Sequence, residues 1–121
     1  MTPPLIADDT ALLALGSGHR LMSGLAVTGG RLTVPVGCLI DADRQRDGIA
    51  DHVGALSGIT FEEVGLTAAR PLAELMRDGL GLGTAHAVYA ARPSLSWPAG
   101  RAVLTTSAGL YKGRGVRVVT V

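Results

Sequence analysis

Leu5-Ile-Ala-Asp8-Asp-Thr10-Ala-Leu-Leu-Ala-Leu15 is the stretch on which the architecture turns. A short apolar run over 5–7 stops at two aspartates, and strong helix formers follow directly after Thr10. The run reads as a buried strand, and Asp9 or Thr10 can offer a side-chain oxygen to the first unpaired amides of the helix behind it. A strand that hands over at once to a helix implies crossover connections and a parallel sheet covered on both faces.

The chain further on repeats the pattern. The first helix ends at Gly16-Ser17-Gly18, and residues 19–26 predict a second helix closed by Gly29-Gly30. Thr33-Val-Pro-Val predicts the start of the next helix, with Pro35 in its first turn, running through Cys38 and Asp41 to about Arg46. Residues 49–56 form another helix, and 59–64 a strand whose Glu pair suits a sheet edge. Residues 67–76 read as a helix capped by Thr67, and a Gly-rich hinge at 79–83 leads to a helix over 84–91. A loop over 92–100 holds Trp97, residues 102–106 form a strand, 108–112 a helical turn and 116–121 a last strand. The order predicts an α/β fold, a three-layer α/β/α sandwich with a small parallel sheet of about four strands, as one domain over 1–121.

Composition agrees. The 121 residues are 47% hydrophobic but only 3% aromatic, so the core is aliphatic. A formal net charge of +1 gives no global field for a polyanion, which a local basic patch would have to meet. Cys38 is the sole cysteine, which leaves no intrachain disulfide and no thiolate cluster, and points to a reducing compartment. No apolar run nears the ~20 residues of a membrane span, and the start lacks signal-peptide character, so a cytoplasmic location is expected.

In parallel sheets, ligands bind at the carboxyl ends of the strands where strand order reverses. Asp8 falls at such an end, Thr106-Ser107 at another, and Asp41 on a helix beside the first. Two carboxylates meeting there can hold Mg²⁺ or Mn²⁺, hard cations that take oxygen ligands. Alternatively, Asp8 and Asp9 cap a helix while Asp41 and Asp43 are solvated.

At these residues the chain resembles the PIN-domain family (PilT N-terminus). The opening stretch is similar to its first motif, a strand ending at Asp with a Ser or Thr two residues later. Val34-Pro-Val-Gly-Cys-Leu-Ile-Asp41-Ala-Asp-Arg44 resembles the second, Thr84-Ala-His-Ala-Val-Tyr-Ala-Ala91 the third, and Val103-Leu-Thr-Thr-Ser107-Ala-Gly-Leu-Tyr111 with Gly115-Val-Arg-Val-Val119 the closing pattern. The family contains metal-dependent ribonucleases, among them the VapC-type toxins of bacterial toxin–antitoxin pairs, commonly dimers neutralised by an antitoxin.

The resemblance puts Asp8 and Asp41 in the catalytic and metal-binding positions, with Thr10, Thr84 and Ser107 supporting. It also exposes two departures: Thr84 and Ser107 stand where acids are expected, and a neutral hydroxyl replaces a charged oxygen poorly. Asp43 or Asp78 could compensate, although Asp43 lies about 200° round the helix from Asp41. The implied protein derives from a Mg²⁺- or Mn²⁺-dependent ribonuclease, weakened or inactive as a nuclease, and acts by binding RNA or an antitoxin-like protein partner, with homodimerisation expected. The alternatives are an active metal-dependent ribonuclease toxin and a doubly wound ligand-binding or receiver-like domain.

Other features carry less. Gly79-Leu-Gly-Leu-Gly83 could present amides to a phosphate, but a hinge fits its place after a helix better. His19, His52 and His86 share no metal-binding spacing, and His86 suits a core position. Arg44, Arg46, Lys112, Arg114 and Arg117 could contact phosphate or simply be solvated. Phe61, Tyr89, Trp97 and Tyr111 are too scattered to predict a base-stacking platform, while Trp97 and the helix over 49–56 are candidate partner contacts.

Overall fold

The structure, a computed structural model, describes residues 4–15 and 31–121. Its centre is one sheet of five parallel strands: β1 (Leu5–Ala7), β2 (Leu32–Pro35), β3 (Ile59–Glu62), β4 (Val103–Thr105) and β5 (Val118–Thr120), in spatial order β3-β2-β1-β4-β5. The helices are α1 (Asp9–Leu15), α2 (Val36–Gln45), α3 (Ile49–Gly54), α4 (Ala69–Arg77) and α5 (Leu82–Ala91), with 3₁₀ turns at Leu66–Ala68 and Ala108–Tyr111.

Strand side chains alternate between two cores. Ile6 and Val103, paired in register, face a cluster with Leu72 and Leu75 of α4 and Ala85 and Val88 of α5. Ala7, Leu32, Val34 and Leu104 face the opposite cluster, with Leu12 of α1, Ala42 of α2 and Val53 of α3. The sheet is thus sandwiched between two helical layers, as the sequence predicts. β3 lies at one edge, as its Glu pair suggested.

Two expectations are corrected. The sheet has a fifth strand, β2, where the sequence reading started a helix at Thr33. Pro35 disfavours helical backbone in the residue before it, and Thr33-Val34 is β-branched, so the strand persists up to the proline. Pro35 itself, at φ −63° and ψ 135°, is the N-cap of α2 and not part of its first turn. Thr67 does not cap the helix that follows; it sits in the 3₁₀ turn, and α4 begins after Ala68 with no side-chain cap. The helix expected over 19–26 lies outside the described residues.

Strand order reverses between β1 and β4, so the carboxyl ends of these two strands form the switch point of the sheet. The order differs from the 2-1-3-4-5 arrangement of receiver-like domains, while 3-2-1-4-5 also occurs in doubly wound nucleotide-binding sheets. Among the described residues, no helix is long and apolar enough to cross a membrane.

Candidate functional site

Asp8 follows β1 at the switch point and is fully buried. Its Oδ1 accepts the Ala11 amide at 2.9 Å, the third amide of α1, so the N-cap is Asp8, as the alternative reading of the sequence had it, and not Asp9 or Thr10. The same oxygen accepts the Thr10 hydroxyl at 2.6 Å, and Oδ2 accepts the Tyr111 hydroxyl at 2.7 Å. Three donors therefore occupy a carboxylate that has no exposed surface.

A chain of hydroxyls extends from it. Thr10 gives its only hydroxyl proton to Asp8, so across the 3.0 Å contact the Thr105 hydroxyl is the donor to Thr10. Thr105 in turn accepts the Ser107 amide at 2.9 Å, and Thr10 Oγ1 accepts the Thr106 amide at 3.0 Å. The turn after β4 is thereby tied to the start of α1. Ser107 enters this network through its backbone.

Asp41, on α2, is largely buried, its side chain 16% exposed. Its Oδ2 accepts the Gly83 amide at 2.7 Å and its Oδ1 pairs with Arg44 at 3.2 Å. Gly83 is the second residue of α5, so Asp41 caps that helix from across the molecule, a placement its dipole favours. The fit is close: a Cβ on Gly83 would lie 2.8 Å from Asp41 Oδ2 and 3.3 Å from the Cys38 Cα. The Gly-rich segment thus gives its Gly83 amide to Asp41. Thr84, the next residue, is buried.

The carboxylates share one corner. The charges of Asp8, Asp9 and Asp41 all reach the Cys38 thiol, whose pKa is pushed well up, first by burial and then by those charges. Cys38 Sγ donates to the Gly83 carbonyl at 3.1 Å and is an inert core thiol. Asp9 is held above the ordinary carboxyl value by burial first, then by Asp8 and Asp41, while a hydrogen bond from Gln45 opposes the shift. Burial, followed by the adjacent Asp8 charge, raises the Tyr111 phenol far above its ordinary value.

The compensating acids are engaged elsewhere. Asp43 accepts the Ala50 amide at 2.9 Å and so caps α3, and Asp78 pairs with Arg114 at 3.5 Å. His86 is fully buried, its Nδ1 accepting the Gly37 amide at 2.9 Å, and burial lowers its pKa against the opposing charge of Glu62. Arg44 is spent on Asp41, and Arg117 reaches the Gly100 carbonyl at 3.4 Å.

These residues do not fit a divalent cation. The oxygens of Asp8 and Asp41 are taken up by protein donors, positions 84 and 107 are neutral hydroxyls, and no three acidic, His or Cys side chains converge on a cation position among the described residues. The sequence reading overlooked Tyr111 as a partner of Asp8, Thr105 as a partner of Thr10, and Gly83 as a partner of Asp41. Tyr111 is 103 positions from Asp8, and its place at the end of a short helical turn gave no sign of that contact.

No family model matches the chain, and no curated protein does. Among solved structures, the fold is similar to a chain of the crystal structure of DNA bound VapBC from Salmonella typhimurium, with a TM-score of 0.61 and 15% identity over 98% of both chains. At that identity the likeness speaks for the fold, and it matches the PIN-like sandwich that the sequence motifs imply.

Proposed function

We propose that this chain is a PIN-like protein derived from a Mg²⁺- or Mn²⁺-dependent ribonuclease, its nuclease activity weak or lost, and that it acts by binding RNA or an antitoxin-like protein partner. The observation that carries the loss of chemistry is the state of Asp8: wholly buried, and holding Tyr111, Thr10 and the α1 amide instead of facing a substrate. The shared fold with a chain from a VapBC structure supports descent within the toxin–antitoxin setting, where a protein partner and a homodimer are expected.

A second reading, an active metal-dependent ribonuclease, draws on the gathering of Asp8, Asp9 and Asp41 charges round Cys38, a repulsion that a cation would relieve. Incubating the purified protein with Mn²⁺ and structured RNA, beside the Asp8→Asn variant, separates the two. The first reading expects no cleavage that depends on Asp8. Cleavage by the wild type that disappears in the variant would overturn it in favour of the second.

A further inference from the structure

A groove unrelated to the acidic corner opens beside the loop over 92–101. It has a volume of about 510 Å³ and is bounded by Arg31 before β2, Arg101 before β4, Thr60 of β3 and Ser96 and Trp97 of the loop. Pro4, Arg31 and Arg101 precede their strands, and Thr60, Phe61 and Glu62 carry the groove along β3, at the edge of the sheet and not between β1 and β4. A second hollow of about 250 Å³, lined by Tyr89 and Arg92, shares Glu62, Ser94 and Arg101 with the first and continues it.

The chemistry of this surface is particular. The chain has only four aromatic residues, and three of them, Phe61, Trp97 and Tyr89, lie along the one channel. Three arginines accompany them: Arg31, Arg92 and Arg101. The single acid, Glu62, is neutralised by Arg101 at 2.7 Å, and Arg101 is anchored further by two bonds to the Ala90 carbonyl. Arg92 adds a positive charge that Glu62 does not offset, in a protein whose formal net charge is only +1.

The loop is held in shape before any ligand arrives. Ser94 and Trp97 exchange two bonds, Trp97 amide to Ser94 Oγ at 3.1 Å and Ser94 amide to Trp97 carbonyl at 3.0 Å, and the Arg31 guanidinium lies 5.9 Å from the Trp97 ring centroid. A fixed indole beside guanidinium groups and hydroxyls supplies both halves of strand recognition, a stacking surface for a base and cations for its phosphates.

We propose that this groove binds single-stranded nucleic acid, with a base against Trp97, a second near Tyr89, and a phosphate on Arg92. The inference rests on the binding role proposed above and specifies both a ligand and a place for it. The two fail differently: metal-dependent cleavage overturns the earlier reading, whereas the present one is decided by binding alone.

Trp97 is the only tryptophan, so its fluorescence reports on the groove without a label. Titrating the full chain with an unlabelled oligouridylate should quench that emission to saturation, and an oligodeoxythymidylate tests whether the sugar matters. Tyr89→Leu and Arg92→Gln should each weaken binding about ten-fold, and Arg92→Gln should also lower the salt dependence by about one ion. Arg114→Gln, which removes one charge near Asp78 instead, should bind as the wild type does. Circular dichroism spectra that match the wild type certify that each variant is folded. Absence of quenching with both oligonucleotides, an equal loss in Arg114→Gln, or quenching by free uridine monophosphate at the same concentration as the oligomer would overturn the proposal.

Discussion

Replacing Tyr111 with Phe removes one oxygen and leaves the ring in place, which makes it a sensitive test of the Asp8 network. Tyr111 is 3% exposed and Asp8 is fully buried, so water has little room to take over the lost bond. Hydrogen bonds to charged groups contribute about 1.5–3 kcal/mol, and this one, at 2.7 Å, is short. A loss of about 2 kcal/mol is expected. For a chain of 121 residues this corresponds to a fall in Tm of about 6–10 °C.

The measurement is urea unfolding followed by circular dichroism, alongside calorimetry, for the wild type, Tyr111→Phe, Asp8→Asn and the double variant. The four form a cycle. Because Tyr111 acts on Asp8 directly, the same change should cost less once Asp8 is Asn, with a coupling of about 1 kcal/mol or more. A Tyr111→Phe effect within about 0.5 kcal/mol of zero, or strict additivity in the cycle, would refute the argument that Asp8 is a structural centre.

Other expectations follow from the same corner. Asp9→Asn should raise stability near neutral pH by about a few tenths of a kcal/mol, because the folded carboxyl is held high by burial and by Asp8 and Asp41, and stability from such a group is lost as pH rises. Millimolar Mn²⁺ should leave the wild-type melting temperature unchanged; a rise that Asp9→Asn abolishes would show that the carboxylates do hold a cation. His86 runs the other way. Its folded pKa lies below the unfolded value of about 6.5, so the unfolded state binds more protons and urea midpoints should fall as pH drops from 7.5 to 5, a slope that His86→Gln should flatten. Gly83→Ala, which must push the Asp41 carboxylate or Cys38 aside, should cost about 1–3 kcal/mol in thermal unfolding. Wild-type stability there would mean that the α2–α5 contact is looser than its geometry.

Much of the fold was legible because its signals are local. The apolar run before Asp8, the Ala/Leu helix after Thr10 and the valine runs near the end each declare an element within a few residues. β2 escaped because a proline near a helix start was read as part of the helix, when its stronger effect falls on the residue before it. Asp8 and Asp41 were singled out from the sequence for a shared site, but what each holds depends on partners that no spacing reveals. Asp41 meets an amide 42 positions away and Asp8 a phenol 103 away. The grouping of Trp97 and Tyr89 with three arginines was hidden for the same reason: the loop over 92–101 folds back across strands that are remote in sequence.

The partners of Asp8 fall into two groups by distance along the chain. Thr10 and Ala11 are two and three positions away, while Tyr111 and the Thr105 hydroxyl that steadies Thr10 arrive only after β4 has docked beside β1. Closing so long a segment is entropically costly, so the near contacts are expected to form before the far ones. The corner then behaves as a latch that engages last. Contacts that form late would govern how fast the molecule comes apart more than how fast it assembles, so the buried Asp8 corner is expected to act as a brake on unfolding.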